Sequence, residues 1–134
     1  RSIQATLGGI GAVSLFVAAI GIANTMMMSI YERTKEIGVM KVLGCDMCAI
    51  RNMFLAEAGF IGLIGGVVGI VLSYMISAII NFVLRDSYYS NVSYIPPYLT
   101  LLALIFAVVI GMVAGLFPAL RAMRLSPLAA IRNE

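Results

Sequence analysis

Three long uncharged stretches divide this chain of 134 residues. They run from Ser2 to Tyr31, from Ala58 to Leu84 and from Tyr98 to Leu120. Each is longer than the roughly 18 apolar residues that mark a candidate membrane-spanning helix. Backbone groups in lipid must be hydrogen-bonded within their own segment, so these stretches predict helices rather than open strands. We therefore predict an all-α membrane protein with spanning helices at about residues 3–31, 57–84 and 98–120.

The charged residues lie mostly between the first two predicted spans and after the third. Arg33, Lys35, Lys41 and Arg51 lie in the first of these segments, and Arg121, Arg124 and Arg132 in the second. The remaining connection, 85–97, holds only Arg85 beside Asp86. Basic residues favour the cytoplasmic side, so we predict a cytoplasmic loop over 32–56, an extracytoplasmic loop over 85–97 and an N-out, C-in topology. An N-terminus on the outside predicts an earlier span and an exported domain before Arg1.

Composition narrows the function. Hydrophobic residues make up 62% of the chain and charged residues 11%, against roughly 25% charged in soluble domains. The chain has no histidine, which excludes histidine-based catalysis and histidine metal sites. A net charge of +3 without a basic run gives no reason to expect nucleic-acid binding. No phosphate-binding G-x-x-x-x-G-K-[ST] motif occurs, so we predict that this segment is not an enzyme and binds no nucleotide or metal itself.

The charged loop also carries an apolar stripe. Its members recur every three or four residues and are Ile37, Met40, Leu43, Met47, Ile50 and Phe54. This spacing predicts an amphipathic helix–turn–helix, with Gly44 ending the first helix and Asp46 capping the second. Such an element suits docking of a soluble partner, whereas its basic residues equally suit a helix lying on the lipid surface. The pattern leaves both interpretations open.

Glycines recur at spacings of four in the second and third spans. The pairs are Gly62/Gly66, Gly65/Gly69 and Gly111/Gly115. Small residues at this spacing let helix backbones approach closely. They predict either an interface that moves or dimerises, or packing within one bundle. Ionisable residues are absent from the depth of all three spans, which argues against a proton relay or a charged-substrate channel.

Cys45 and Cys48 form a C-x-x-C motif in the charged loop. Such a pair is found in redox sites and in zinc sites. Here it lies on the predicted cytoplasmic side, where thiols stay reduced, and no second pair completes a tetrahedral metal site. We interpret the two cysteines as small loop residues.

Two motifs resemble one known family. The first is Glu32-Arg-Thr-Lys-Glu-Ile-Gly-Val-Met-Lys-Val-Leu-Gly44, and the second is Gly115-Leu-Phe-Pro-Ala-Leu-Arg-Ala-Met-Arg-Leu-Ser-Pro-Leu-Ala-Ala-Ile-Arg132. Together they are similar to the FtsX-like permease domain of the MacB-type ABC transporters, over essentially the whole chain. Cys45 and Cys48 depart from the family, which usually has alanine at the first position and commonly a basic residue at the second.

The resemblance implies a fold and a set of partners. Family members have four spanning helices with a large outer domain between the first two, so the spans seen here would be the second to fourth. They act as dimers with two ATPase domains, where ATP and Mg²⁺ bind. ATP binding is thought to be transmitted to the outer domain rather than to open a path between helices.

The resemblance also assigns residues. The loop would be the element that couples to the ATPase. We expect it to contain an apolar docking stripe, polar residues that set the register of docking (the polar register), and two glycines that permit close approach and a turn. These residues are Ile37, Met40 and Leu43 for the stripe, Glu32, Arg33, Lys35, Glu36 and Lys41 for the polar register, and Gly38 and Gly44 for close approach and the turn. Replacing Met40 by aspartate is expected to uncouple the transporter.

The function expected on this basis is export of a drug, a peptide or a lipoprotein, driven by a cytoplasmic ATPase, in the bacterial inner membrane. An outer adaptor or membrane-fusion protein is a further expected partner, beside membrane lipid. The alternative is a non-transport scaffold that activates a cell-wall hydrolase outside. A third possibility is a structural membrane protein without an ATPase.

Overall fold

The computed structural model of the protein describes residues 1–85 and 92–124, which form four helices and no strand. The helices are α1 (Ser2–Glu32), α2 (Thr34–Val42), α3 (Met47–Val83) and α4 (Pro97–Met123). Three of them, α1, α3 and α4, are long and apolar enough to cross a membrane. The predicted all-α class and the three spanning candidates are thereby confirmed. Asp86 and the end of the second motif, with Pro127, Ala130 and Arg132, lie outside the described residues.

The charged loop is mostly helical because its two breaks are short. Arg33 separates α1 from α2 with φ −100° and ψ 15°. Gly44 has a φ of +87°, a left-handed conformation that glycine adopts without steric cost, and it stands in the turn after α2. Beyond this turn α3 begins at Met47, ten residues before the predicted start of the span at 57. The apolar run of the second span thus forms the C-terminal part of a longer helix.

Asp46 occupies the N-cap position of α3, but its side chain makes no capping hydrogen bond. The expected side-chain cap is wrong in this respect. The backbone carbonyl of Asp46 instead accepts hydrogen bonds from the amides of Ala49 and Ile50, at 3.1 and 3.4 Å. Asp46 therefore contributes to the first turn of α3 through its backbone carbonyl and not through its side chain.

The buried core lies at one end of the bundle, beside α2. We call it the four-helix core because all four helices contribute to it. Its members are Met26 and Ile30 of α1, Ile37 of α2, Ile50, Phe54 and Ala58 of α3, and Ala119 and Ala122 of α4. Burial of these apolar side chains is the main force that fixes α2 against the three long helices.

Close packing of α3 on α4 depends on glycine. A Cβ added at Gly62 would lie 2.5 Å from the carbonyl oxygen of Ala107, and one at Gly111 would lie 2.7 Å from that of Ala58. A Cβ at Gly66 would meet the Ala107 Cβ at 2.8 Å, and one at Gly115 would meet the Ala58 Cβ. These four glycines therefore lie in a contact within the chain, where the backbones approach too closely for a side chain.

Gly65 and Gly69 differ from the other pairs. A Cβ at either position would meet nothing within 4 Å, so this pair faces away from α4. A role in contact with another helix stays a prediction. Gly59, which the spacing of four does not single out, does face α4, since its added Cβ would lie 3.2 Å from Met112 Cγ.

Helix α1 joins the bundle only near its C-terminal end. Met26 and Ile30 are its buried residues, whereas nearly every side chain over 1–21 is exposed. Its contacts are chiefly with α4 and much less with α3. With 31 residues it is about 46 Å long. Most of that length is therefore free of contact with the rest of the described chain.

A polar clasp closes the α3–α4 hairpin at the end away from α2. The Asn81 amide nitrogen donates to the Ser93 carbonyl at 2.8 Å, and the Ser93 backbone N–H donates to Asn81 Oδ1 at 2.9 Å. The hydroxyls of Ser77 and Ser93 lie 2.8 Å apart. Tyr74 and Thr100 share a further hydrogen bond of 2.8 Å between α3 and α4. The segment before α4 is thereby fixed to α3.

Replacing Asn81 by alanine is expected to release Ser93. Two hydrogen bonds are lost, which should lower the free energy of unfolding by about 1–2 kcal/mol and speed hydrogen exchange of the Ser93 amide. Hydrogen exchange of the full protein, read at residue 93, measures this. Ser73→Ala is the control, because the Ser73 hydroxyl donates to the Gly69 carbonyl of its own helix, at 2.8 Å. Equal exchange in both variants would contradict the clasp.

Candidate coupling surface on α2

One face of α2 belongs to the four-helix core. Ile37 is 0% exposed and Gly38 is also buried, while Met40 is half-buried and packs against the core. We expected Ile37 and Met40 to form a docking stripe for a partner, but in this structure their side chains pack within the chain. The reason lies in the length of the stripe: it continues through Ile50 and Phe54 of α3, and this joint face packs against α1 and α4.

Polar contacts reinforce this packing. The Lys41 ammonium donates a hydrogen bond of 2.6 Å to the carbonyl oxygen of Met123, which joins α2 to the last turn of α4. Partial burial lowers the pKa of Lys41 from its usual value. A lysine at this place also complements the negative partial charge of the helix C-terminus. Lys41, predicted as part of the polar register, thus contacts the chain itself.

Two further contacts cross between helices at the same end. Arg33 forms an ion pair of 3.7 Å with Glu57, joining the α1–α2 break to α3. The guanidinium of Arg121 lies 5.9 Å from the centroid of the Tyr31 ring, joining α4 to α1. Exposed pairs of this kind contribute little stability each, about 0.2–1 kcal/mol. Their effect is to fix the geometry of a junction that apolar burial already holds.

Apolar side chains are exposed on the other side of α2 and on both sides of the turn that follows it. Leu43 is 80% exposed, and Val39, Val42 and Met47 are more than half exposed. We call these four residues the elbow surface, because they flank the turn at Gly44. Glu32, Lys35 and Glu36 are exposed nearby in sequence, and Lys35 has an interaction within the chain. Of the predicted stripe, only Leu43 and Met47 lie on this surface.

Sequence reasoning missed Val39 and Val42. A single stripe at helical spacing identifies one apolar face, and these valines lie outside it. The sequence did mark them: both are apolar, although an amphipathic helix has polar residues at positions outside its apolar stripe. A short helix with apolar residues on two faces has one face to bury and another to offer a partner.

The described part of the chain holds no group of three or more acidic, cysteine or histidine side chains that could share a metal ion. Cys45 and Cys48 are free and exposed, on either side of the start of α3. This end of the bundle therefore presents the elbow surface, and the other face of α2 packs against the three long helices.

Comparison with known proteins identifies the family. Residues 8–127 match the family model described as FtsX-like permease C-terminal. The chain is 41% identical to an uncharacterized ABC transporter permease of Methanocaldococcus jannaschii, over 94% of this chain and 32% of that protein. It is 36% identical to the ABC transporter permease YtrF of Bacillus subtilis, over 93% of this chain and 31% of that protein.

The name of a third relative combines ATP binding with a permease. The chain is 38% identical to the macrolide export ATP-binding/permease protein MacB of Wolinella succinogenes, over 96% of this chain and 19% of that protein. The chain thus spans between 19% and 32% of the length of these three relatives. Since the family model covers most of the chain, the resemblance found in its two motifs is confirmed, and the chain belongs to the FtsX-like permease family of ABC transporters.

Proposed function

We propose that this permease segment receives the force of an ABC ATPase at the elbow surface and passes it to the membrane helices as a rigid movement. The observation that carries the proposal is the double face of α2: Ile37 lies in a core shared by all four helices, while Leu43, six residues on, is 80% exposed. An apolar surface outside the predicted spans and next to charged residues fits a soluble partner.

Rigidity supports transmission. Protein cores are close-packed, so a displacement of α2 moves Ile37 against Phe54 and Ile30 rather than being absorbed in a void. The hydrogen bond from Lys41 to Met123 couples the same displacement to the end of α4. Helix α1, held at Met26 and Ile30 and free of contacts over most of its length, then acts as a lever across the membrane.

The proposal includes partners that lie beyond this chain. ATP and Mg²⁺ bind at the ATPase, on a separate subunit or on another part of the same polypeptide, and a second permease copy completes a dimer. The name of the Wolinella succinogenes relative, which combines ATP binding, permease and macrolide export, supports the ATPase partner. We propose export of a drug, a peptide or a lipoprotein, with an outer adaptor, from the cytoplasmic membrane of a bacterial cell with α2 on the cytoplasmic side.

Replacing Leu43 by aspartate in the full protein is expected to release the ATPase. A charge at the centre of an apolar contact costs several kcal/mol when desolvated, so retention of the ATPase on purification should fall roughly tenfold or more. ATP turnover of the preparation should fall in parallel. Leu43 is a better probe than Met40, because Met40 packs against the four-helix core and an aspartate there also disturbs folding.

Asn52→Asp is the matched control. Asn52 is exposed and lies about 140° around α3 from Met47, away from the elbow surface. It should retain the ATPase at the wild-type level. If Leu43→Asp and Asn52→Asp both retain it, the elbow surface is not the coupling surface. If even the wild-type protein retains no ATPase, a helix resting on lipid becomes the better interpretation of α2.

A further inference from the structure

A groove at the end of α4 combines an apolar floor with a basic rim. It is lined by Phe117, Leu120, Arg121 and Arg124 and has a volume of about 390 Å³. Phe117 is 67% exposed, and both arginine side chains are exposed. The four residues fall within two turns of one helix face, since they are spaced by three, one and three residues. Neither the coupling surface nor the α3–α4 contact uses this groove.

The rim is electrostatically unbalanced. Within residues 1–85 and 92–124, neither guanidinium has a carboxylate within 4.0 Å, although Arg121 lies over the Tyr31 ring at 5.9 Å. The C-terminus of a helix carries a negative partial charge that would oppose an anion. Here the Lys41 ammonium contacts the Met123 carbonyl and offsets part of that charge. Two guanidinium groups with ten N–H donors between them therefore face the groove, and no carboxylate of the described residues pairs with either.

The groove lies where α4 leaves the bilayer. Helix α4 has 27 residues and is about 40 Å long, longer than a hydrocarbon core of about 30 Å. Arg121 is the first charged residue in this helix, so the bilayer surface falls close to it. Lipid phosphates lie at this level and acyl chains lie below it, on the side of Phe117.

We propose that this groove binds an anionic phospholipid. Arg121 and Arg124 hold the headgroup phosphate, which guanidinium groups bind through paired hydrogen bonds, and the upper acyl chain lies along Phe117 and Leu120. Tyr31 orients Arg121, so a bound lipid joins the ends of α1 and α4 next to the four-helix core. The site needs only the bilayer surface at this end of α4, whichever side of the membrane that is.

The test uses the full protein in detergent micelles and counts bound lipid by native mass spectrometry, with phosphatidylglycerol as the anionic probe and phosphatidylcholine as the zwitterionic one. Wild-type protein should retain phosphatidylglycerol in preference. Arg121→Gln and Arg124→Gln should each weaken its binding roughly tenfold, because each removes a charge-assisted contact. Arg85→Gln is the matched control, since Arg85 lies just beyond α3 at the other end of the bundle, and it should bind as wild type does.

Two further measurements distinguish a lipid headgroup from free phosphate as the ligand. Phe117→Ser should weaken lipid binding, and free inorganic phosphate should not displace the lipid. If phosphate displaces it and Phe117→Ser has no effect, the groove is a site for a soluble anion and the proposal is overturned. Equal binding by wild type, Arg121→Gln and Arg124→Gln overturns it as well. Because Leu43→Asp leaves the groove unchanged, loss of ATPase coupling and loss of lipid binding are separate outcomes.

Discussion

Replacing Phe54 by alanine is expected to lower the free energy of unfolding by about 3–5 kcal/mol. Phe54 is 0% exposed and is the largest fully buried side chain of the four-helix core. Truncation removes the burial of a whole ring and leaves a cavity between the start of α3 and the other helices. Because all four helices contribute side chains to this core, the cavity is poorly filled by relaxation.

The measurement is reversible unfolding of the full protein in mixed micelles, titrated with a denaturing detergent. Phe60→Ala is the matched control, since Phe60 lies on the same helix but is 65% exposed, and its loss should cost within about 0.5 kcal/mol. A cost at Phe54 no larger than that at Phe60 would mean that the four-helix core does not hold this end of the bundle together.

Loss of the Phe54 ring should also uncouple ATP hydrolysis from export. If α2 transmits force through a close-packed core, a cavity beside Ile37 gives α2 room to move without moving α1. ATP hydrolysis by the retained ATPase should then continue while export falls. This outcome differs from that of Leu43→Asp, where the ATPase itself is lost from the preparation, so the two substitutions separate docking from transmission.

Much of the fold follows from charge placement alone. Three uncharged stretches predict α1, α3 and α4, because only a helix satisfies its own backbone in lipid. The turn at Gly44 was also predictable, since few residues other than glycine adopt a φ of +87°. The early start of α3 at Met47 is marked less clearly, because no sharp boundary separates an amphipathic helix from the apolar run that continues it.

The candidate site was harder to predict, for a physical reason. A stripe at helical spacing shows that one face of a helix is apolar, but it does not show what covers that face. Ile37 and Leu43 belong to the same stripe in sequence, yet Ile37 is buried in the core and Leu43 is exposed. The difference depends on where α1 and α4 lie, which is long-range information. Family resemblance drew attention to this segment without resolving its two faces, and its role in coupling stays a prediction.

The glycine pairs show the same limit. Gly62/Gly66 and Gly65/Gly69 have identical spacing and overlap along α3, yet only the first pair faces α4. A shift of three residues turns a helix by about 300°, which moves a side chain to another part of the helix surface. Spacing therefore identifies a close approach without identifying the partner, and this distinction leads to a second large effect.

Gly62→Val is expected to lower the free energy of unfolding by about 3 kcal/mol, by forcing α3 and α4 apart. Even a single Cβ at this position would lie 2.5 Å from the Ala107 carbonyl oxygen and 3.2 Å from the Gly111 Cα. Both of these are backbone atoms, which cannot move without moving α4. The same detergent titration measures the effect.

Gly65→Val is the matched control, with the same substitution on the same helix three residues on. Its added Cβ would meet nothing within 4 Å, so the free energy of unfolding of the single chain should change by no more than about 0.5 kcal/mol. Equal costs at the two positions would contradict the α3–α4 geometry. The oligomeric state of Gly65→Val, measured separately, tests whether Gly65 and Gly69 contact another helix. If the dimer dissociates while the single chain keeps its stability, this pair lies at an interface between copies. The substitution would then act only where the backbone of a second copy approaches.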